Sequence, residues 1–416
     1  MKSSPASPDP LPMDWVREQF PTLANAGILM DNAGGSVPLG RVVDRLAEYM
    51  RKWPVQLGAS YLESAEAQQR LGLARTAVAG LLGPQMAADE IVVAASTTSL
   101  ISRLARSLVP GWDEGDEVIV TDVDHEANIT PWRRLTDHGI RVREWSLNQD
   151  SRRLETDDLR SLLSDRTRLV CFTHASNILG QAVDVETICA TVHEAGAKTC
   201  IDGVAYAPHR PLAVKDWGVD YYAFSLYKVL GPHCAVMYCR DTEMSGLANL
   251  NHTFMDDYEG PGRLELGAFP YELLYAAGGV PDYLDELAAR LGDDGDRARA
   301  WSAIAAQESR LTRRLLEFLD SRPTVEVMGS VSPGPDRMPT ISFVSRNHLS
   351  SEIPAICDRQ GIGIRWGHFY APRLIDRLGL TERDGVVRVS MLHYNTVHEV
   401  DRLIGALEPA LRGRAA

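Results

Sequence analysis

Lysine is scarce in this chain. Five occur in 416 residues (Lys2, Lys52, Lys198, Lys215 and Lys228), and arginine supplies the rest of the 43 basic side chains. Where arginine has taken most sites that want a plain surface cation, a lysine among apolar neighbours is a candidate for amine chemistry. Basic charge is short overall as well: 56 acidic side chains give a formal charge of −13. That balance argues against a nucleic-acid or anionic-membrane partner, since either needs a basic patch to meet phosphate. No run approaches ~18 uninterrupted apolar residues, so no membrane-spanning helix is expected. The opening MKSSPASPDP has no apolar run behind Lys2. It reads as a Pro/Ser-rich disordered tail and not as a secretory signal. CxxC pairs are missing too. The six cysteines (171, 189, 200, 234, 239 and 357) are dispersed, mostly in apolar runs, which suits core thiols in a reducing cytoplasm and no metal site.

What is present has α/β organisation. Between about residues 90 and 240, short β-branched runs alternate with helical patterns: IVVAA (91–95), EVIVT (117–121), LVCFT (169–173), KTCID (198–202) and AVMYC (235–239). Leu100, Ile101, Leu104, Ala105 and Leu108 fall on one face of a helix after the first run. VDVETICATVHEAG (183–196) reads as a helix closed by Gly196. Such strands joined by helices predict a three-layer domain with a mostly parallel sheet and a ligand site at the strands' carboxyl ends. After residue 290 the texture changes to a long amphipathic segment (298–319), short strands and a closing helix, the pattern of a smaller α+β domain. The expected division is a 1–30 N-terminal segment packing with the small domain, a 31–290 large domain and a 291–416 C-terminal domain.

Three features carry chemistry. Asp202 ends the KTCID strand, a position that points a carboxylate into a cleft. Lys228 lies between Leu226-Tyr227 and Val229-Leu230. Ser96, Thr97, Thr98 and Ser99 follow a strand and open a helix, where hydroxyls and backbone N–H groups make an anion site. A phosphate pocket, an acid and an apolar-flanked lysine together suggest pyridoxal phosphate, with the lysine as its covalent anchor and the aspartate as partner of the pyridine nitrogen. Burial would lower the lysine's pKa and free its amine to act as a base.

At these residues the chain resembles the class V aminotransferase and cysteine-desulfurase group of fold-type I pyridoxal-phosphate enzymes. The resemblance rests on THASNILGQAVDVETICATVHEAGAKTCIDGVAYAPH and DYYAFSLYKVLGPH, with MDNAGGSVP, ASTTSL, DVDHEANITPW and VVRVSMLHYNT in the same order. It spans about residues 20 to 410. It implies that Lys228 is the Schiff-base lysine and Asp202 the pyridine partner. It implies that His125 stacks on the cofactor ring and relays protons, that Thr97, Thr98 and Ser225 hold the phosphate, and that Tyr227 is a further cofactor contact. Asn177 would approach the phenolic oxygen or the substrate carboxylate, and Arg388 would clamp that carboxylate, with Asn32 and His368 nearby. The resemblance also implies a homodimer with the active site near the interface.

The departures carry as much. Where desulfurases of the group read roughly GHHCA, this chain reads GHFYA, with Tyr370 in the cysteine's place. Ala205 stands where relatives carry Gln or His, leaving Tyr206 or Tyr227 to meet the cofactor's phenolate. Ala268 stands where a threonine crosses the dimer. The Trp366–Tyr370 loop and the 251–270 stretch are expected to line the substrate entrance, the latter from the partner subunit. The expected activity is therefore that of a C–S lyase, not a persulfide-forming desulfurase: β-elimination from an S-substituted cysteine to a thiol, pyruvate and ammonia, in secondary metabolism. Lys228, His125 and Tyr370 would act catalytically. The alternative is a decarboxylating enzyme, either an oxidative deaminase or an aldol- or Mannich-type C–C bond former, or an epimerase.

Overall fold

The structure is a computed structural model that describes residues 10–255, 259–292 and 295–412. Residues 1–9 of the Pro/Ser-rich opening tail lie outside them. Thirteen strands are present among the described residues. They are β1 (Ile28–Leu29), β2 (Ile91–Ala94), β3 (Glu117–Thr121), β4 (Arg141–Trp145), β5 (Thr167–Thr173), β6 (Lys198–Asp202) and β7 (Tyr221–Ser225). Then come β8 (Ala235–Cys239), β9 (Val325–Met328), β10 (Thr340–Ser345), β11 (Ile362–Gly363), β12 (Arg365–Gly367) and β13 (Val386–Ser390).

Seven of them form the main sheet in the order β2-β8-β7-β6-β5-β3-β4. All are parallel except β8, which runs against both neighbours. The mostly parallel sheet read from the sequence is there. Strands β2, β3, β7 and β8 are buried along their whole length, as helices on both faces require. Two strands went unread in the sequence. β4 is an edge strand whose Arg141, Arg143 and Glu144 break the apolar run, and β7 follows β6 without a periodic helix between them.

Local chemistry sets the helix ends that matter. Helix Thr97–Leu108 starts at Ser96, whose Oγ accepts from the Ser99 N–H at 3.1 Å, and buries Leu100, Ile101, Leu104 and Ala105. Helix Val185–Glu194 is capped by Asp184 and left through Gly196 at φ +77°. Glycine is obligatory just past β6: a Cβ on Gly203 would lie 2.1 Å from the Tyr222 ring.

A second sheet, β12-β13-β10-β9, is antiparallel. Helices Arg297–Asp320 and Val397–Leu411 cover it, the latter opened by a Thr396/Glu399 capping box. The first half of Arg297–Asp320 puts Ala300, Ala303 and Ile304 into the main core, and its second half puts Leu311, Leu315 and Leu319 into the second core. The N-terminal segment joins both: β1 pairs with β11, Arg17 bonds Tyr394 O and Glu399, and Phe20 packs in the main core.

Candidate active site

The carboxyl ends of the parallel strands converge on one cleft. Strand β6 delivers Asp202, β7 delivers Ser225, and the short turn Leu226–Lys228 that follows delivers Lys228. That turn is fixed from both sides. Leu226 N–H donates to Cys234 O, and Ser36 Oγ donates to Tyr227 O while accepting from the Leu230 N–H. Ser96, Thr97, Thr98, His125, Thr173, Asn177 and Tyr227 complete the wall around Asp202 and Lys228.

The electrostatics follow from burial. Lys228 is brought down to about 8, chiefly by desolvation and then by the Arg388 cation, against the pull of Asp202 and Asp31. Asp202 is pushed up by burial, opposed by the Val204 N–H that donates to its Oδ1 and by Lys228. His125 is pushed down to about 4 by burial and by the Lys228 and Arg388 charges. Its Nδ1 accepts the Ala127 N–H at 3.0 Å, so the neutral ring carries its proton on Nε2 and offers a donor to the cleft. The Thr97 and Ser225 hydroxyls meet at 2.8 Å beside the helix N-terminus.

A second cavity of about 360 Å³ opens from the same place, sharing His125, Asn177, Tyr227 and Lys228 with the first. Its other walls are Ala33 and Gly34 of the N-terminal segment, Arg365, Trp366 and Arg388 of the smaller sheet, and His368, Phe369 and Tyr370 of the loop after β12. Arg388 is buried, and its Nη2 donates to Asp31 Oδ1 at 3.0 Å, its Nη1 to Asn177 O at 3.3 Å, and its Nε to nothing among the described residues. Its guanidinium lies 3.8 Å over the Phe369 ring. Burial lowers it to about 10, with Asp31 opposing. Tyr370 is 64% exposed, with its ring 5.2 Å from that of His125. Phe369 and Tyr370 both take left-handed backbone, φ +49° and +59°, a costly conformation for such side chains. Three bonds hold them there: Glu126 N–H to Tyr370 O, Asn177 Nδ2 to Phe369 O, and Tyr370 N–H to His368 Nδ1.

Lys228, Asp202, Thr97, Thr98, His125, Asn177, Ser225 and Tyr227 thus surround one cleft, with Arg388, His368 and Tyr370 at its mouth. Asn32 departs from this. Its amide is used up on Leu29 O, Ser390 O, Asn395 and Tyr394, and it lines a small pocket behind Lys228 instead of the Arg388 cavity. Tyr206 departs too, stacked on His174 at 3.4 Å in a separate cavity of about 440 Å³ that contains no lysine. Tyr227 stays in the cleft, stacked on His233. No described residue of 251–270 lines either cavity of its own chain. Two residues were missed by the sequence reading, Asp31 and Arg365, because only strand pairing reveals them: Arg365 stands opposite Arg388 across β12 and β13, and Asp31 bridges to Ser390. All six cysteines are buried and none lines the cleft or its mouth.

The donor set fits pyridoxal phosphate. A helix N-terminus with two hydroxyls suits the phosphate, a buried carboxylate with one oxygen unpaired suits a protonated ring nitrogen, and a buried amine with a lowered pKa suits the aldehyde.

Comparison with known proteins agrees with this chemistry. The family model described as aminotransferase class-V matches residues 28–403. Aminotransferase-like protein FGM3 of Gibberella zeae is 43% identical, over 95% of this chain and 98% of that one. Cysteine desulfurase-like protein ustD of Aspergillus flavus is 32% identical, over 95% and 90%. Among solved structures, the cysteine desulfurase CsdA of Escherichia coli, in an S-sulfonic acid form, superposes with a TM-score of 0.83 at 26% identity, over 97% and 99%.

Proposed function

The chain belongs to the class V aminotransferase family of pyridoxal-phosphate enzymes with the fold-type I architecture, and from that premise we propose that it is a carbon–sulfur lyase. Its substrates would be an S-substituted cysteine and water, and its products a thiol, pyruvate and ammonia, the water hydrolysing the imine that remains after the thiol has left. The observation that carries this reading is the mouth of the cleft, where an amine of lowered pKa and a carboxylate clamp face a phenol and no thiol.

Pyridoxal phosphate, once bound, draws electrons from the substrate's α-carbon and so weakens the bonds there. Thr97, Thr98, Ser225 and the helix N-terminus would hold its phosphate, Asp202 its ring nitrogen, and His125 would contact it from the cleft wall. Arg388 would take the substrate carboxylate and so orient the α-carbon. Lys228, with its amine free near neutral pH, removes the α-proton. The carbon–sulfur bond would then break with its electron pair leaving on sulfur, and Tyr370, whose ring lies 5.2 Å from that of the neutral His125, would give that sulfur a proton. A persulfide cannot form on a phenol, so sulfur leaves as a free thiol. The exposed Trp366 and Tyr370 suit an apolar S-substituent. We further propose a homodimer in which the 251–270 stretch of one subunit borders the other's entrance.

Incubation of the holoenzyme with S-alkyl cysteines tests this reading. Pyruvate and thiol in equal amounts are expected. Carbon dioxide without thiol would replace it by decarboxylation. The name of the 43%-identical relative favours amino-group transfer as second reading, which would require an added oxo acid as acceptor.

A further inference from the structure

The seat proposed for the substrate carboxylate already holds a carboxylate. Asp31 Oδ1 lies 3.0 Å from Arg388 Nη2, and its Oδ2 lies 3.7 Å from Arg365 Nη1. Antiparallel pairing sets Arg365 directly across from Arg388, so both side chains leave the same face of the sheet. The Asp31 backbone is fixed by its bridge to Ser390. Its carboxylate has room to swing, because Gly34 carries no side chain where a Cβ would come within 3.1 Å of Oδ2.

We propose that Asp31 is a placeholder: it neutralises Arg388 until substrate binds, and gives way to the substrate carboxylate by moving onto Arg365. Asp31 and Arg365 are then positioning residues that set carboxylate affinity through Arg388. The inference rests on Arg388 as the carboxylate seat in the reading above.

Three observations carry it. A buried guanidinium without a counter-charge is costly, so an empty seat needs an internal anion. The Nε–H and Nη2–H edge of a guanidinium is the fork that a carboxylate takes with two parallel bonds. Asp31 holds only Nη2 and leaves the buried Nε unpaired, which is a half-made clamp. The Arg365 side chain, 61% exposed, makes no side-chain hydrogen bond among the described residues and has its one ion pair there with Asp31, so it can receive what Arg388 releases.

Calorimetric titration of the holoenzyme with propionate at constant ionic strength tests the placeholder. Propionate has no amine and undergoes no reaction. Asp31→Asn should tighten its Kd about fivefold, the weight of one partly exposed ion pair. Arg365→Gln should weaken binding by a similar factor in the parent enzyme and leave it unchanged in the Asp31→Asn background. Arg365→Lys should keep the parent affinity, and because Arg365 is exposed this pair stays informative even if Asp31→Asn does not fold. Weaker or unaltered binding in Asp31→Asn overturns the proposal. So does an Arg365→Gln effect of equal size in both backgrounds, since Arg365 would then attract the ligand directly. Coupling between Asp31 and Arg365 without any thiol release from S-alkyl cysteines would sink the lyase reading alone. Thiol release without coupling would sink the placeholder alone.

Discussion

Lys228 offers the sharpest quantitative test. An ordinary lysine amine titrates near 10.5, and here burial and the Arg388 charge bring it to about 8. At pH 7.5 about a quarter of Lys228 amines would then be free, against roughly one in a thousand for an unperturbed lysine, a gain of ~240-fold. Only the free amine attacks the cofactor's aldehyde, so the rate at which apoenzyme takes up pyridoxal phosphate should follow that fraction. Stopped-flow absorbance across pH 6 to 11 should give a loading rate that rises with a midpoint of about 8. Arg388→Gln removes the second-largest cause of the depression, so its midpoint should move upward and its loading at neutral pH should slow. The sign is fixed: a nearby cation disfavours the ammonium, and its removal restores it. A parent midpoint near 10, or one that does not move in Arg388→Gln, would refute the placement of this lysine beside that arginine in a dry cleft.

Other expectations follow from the same geometry. Arg388→Gln should raise KM for an amino-acid substrate by about 100-fold, the loss of a charged two-bond contact, as read by steady-state kinetics; an unchanged KM would move the carboxylate seat elsewhere. Gly203→Ala should cost ~2 kcal/mol or more in urea unfolding, since its Cβ would meet the Tyr222 ring at 2.1 Å. No such loss would mean that the β6 exit can shift aside. Cys→Ala replacement at any single one of the six cysteines should leave turnover within about twofold, since removing a core thiol touches stability and not the reacting atoms. A stable variant that lost activity would reveal thiol chemistry away from Tyr370.

The legible parts of this site are those fixed by short-range rules. Asp202 closes a strand buried from Thr199 onward, Thr97 and Thr98 open a helix behind a serine cap, and Lys228 stands out in a chain poor in lysine. Strands β3, β6 and β8 coincide with their apolar runs for the same reason. What stayed hidden depends on contacts between distant segments. Nothing near Asp31 in the sequence says that it meets Arg388, because that contact exists only once the N-terminal segment bridges to the end of β13. Arg365 reads as one arginine among many until the β12–β13 register sets it against Arg388. Asn32 sits beside the right residues in sequence but spends its amide on the chain itself. β4 escaped because an edge strand can carry charge on positions that an inner strand would bury.

The cleft has two authors. The groups proposed to handle the cofactor sit around the large sheet, and most of those added at the outer cavity come from the ribbon from Arg365 to Tyr370 and from Arg388. Variation can therefore rewrite that ribbon residue by residue while the Lys228–Asp202 half stands untouched. On the reading proposed above, a substitution in that ribbon would change which molecule is admitted and leave the seat of the cofactor as it stands.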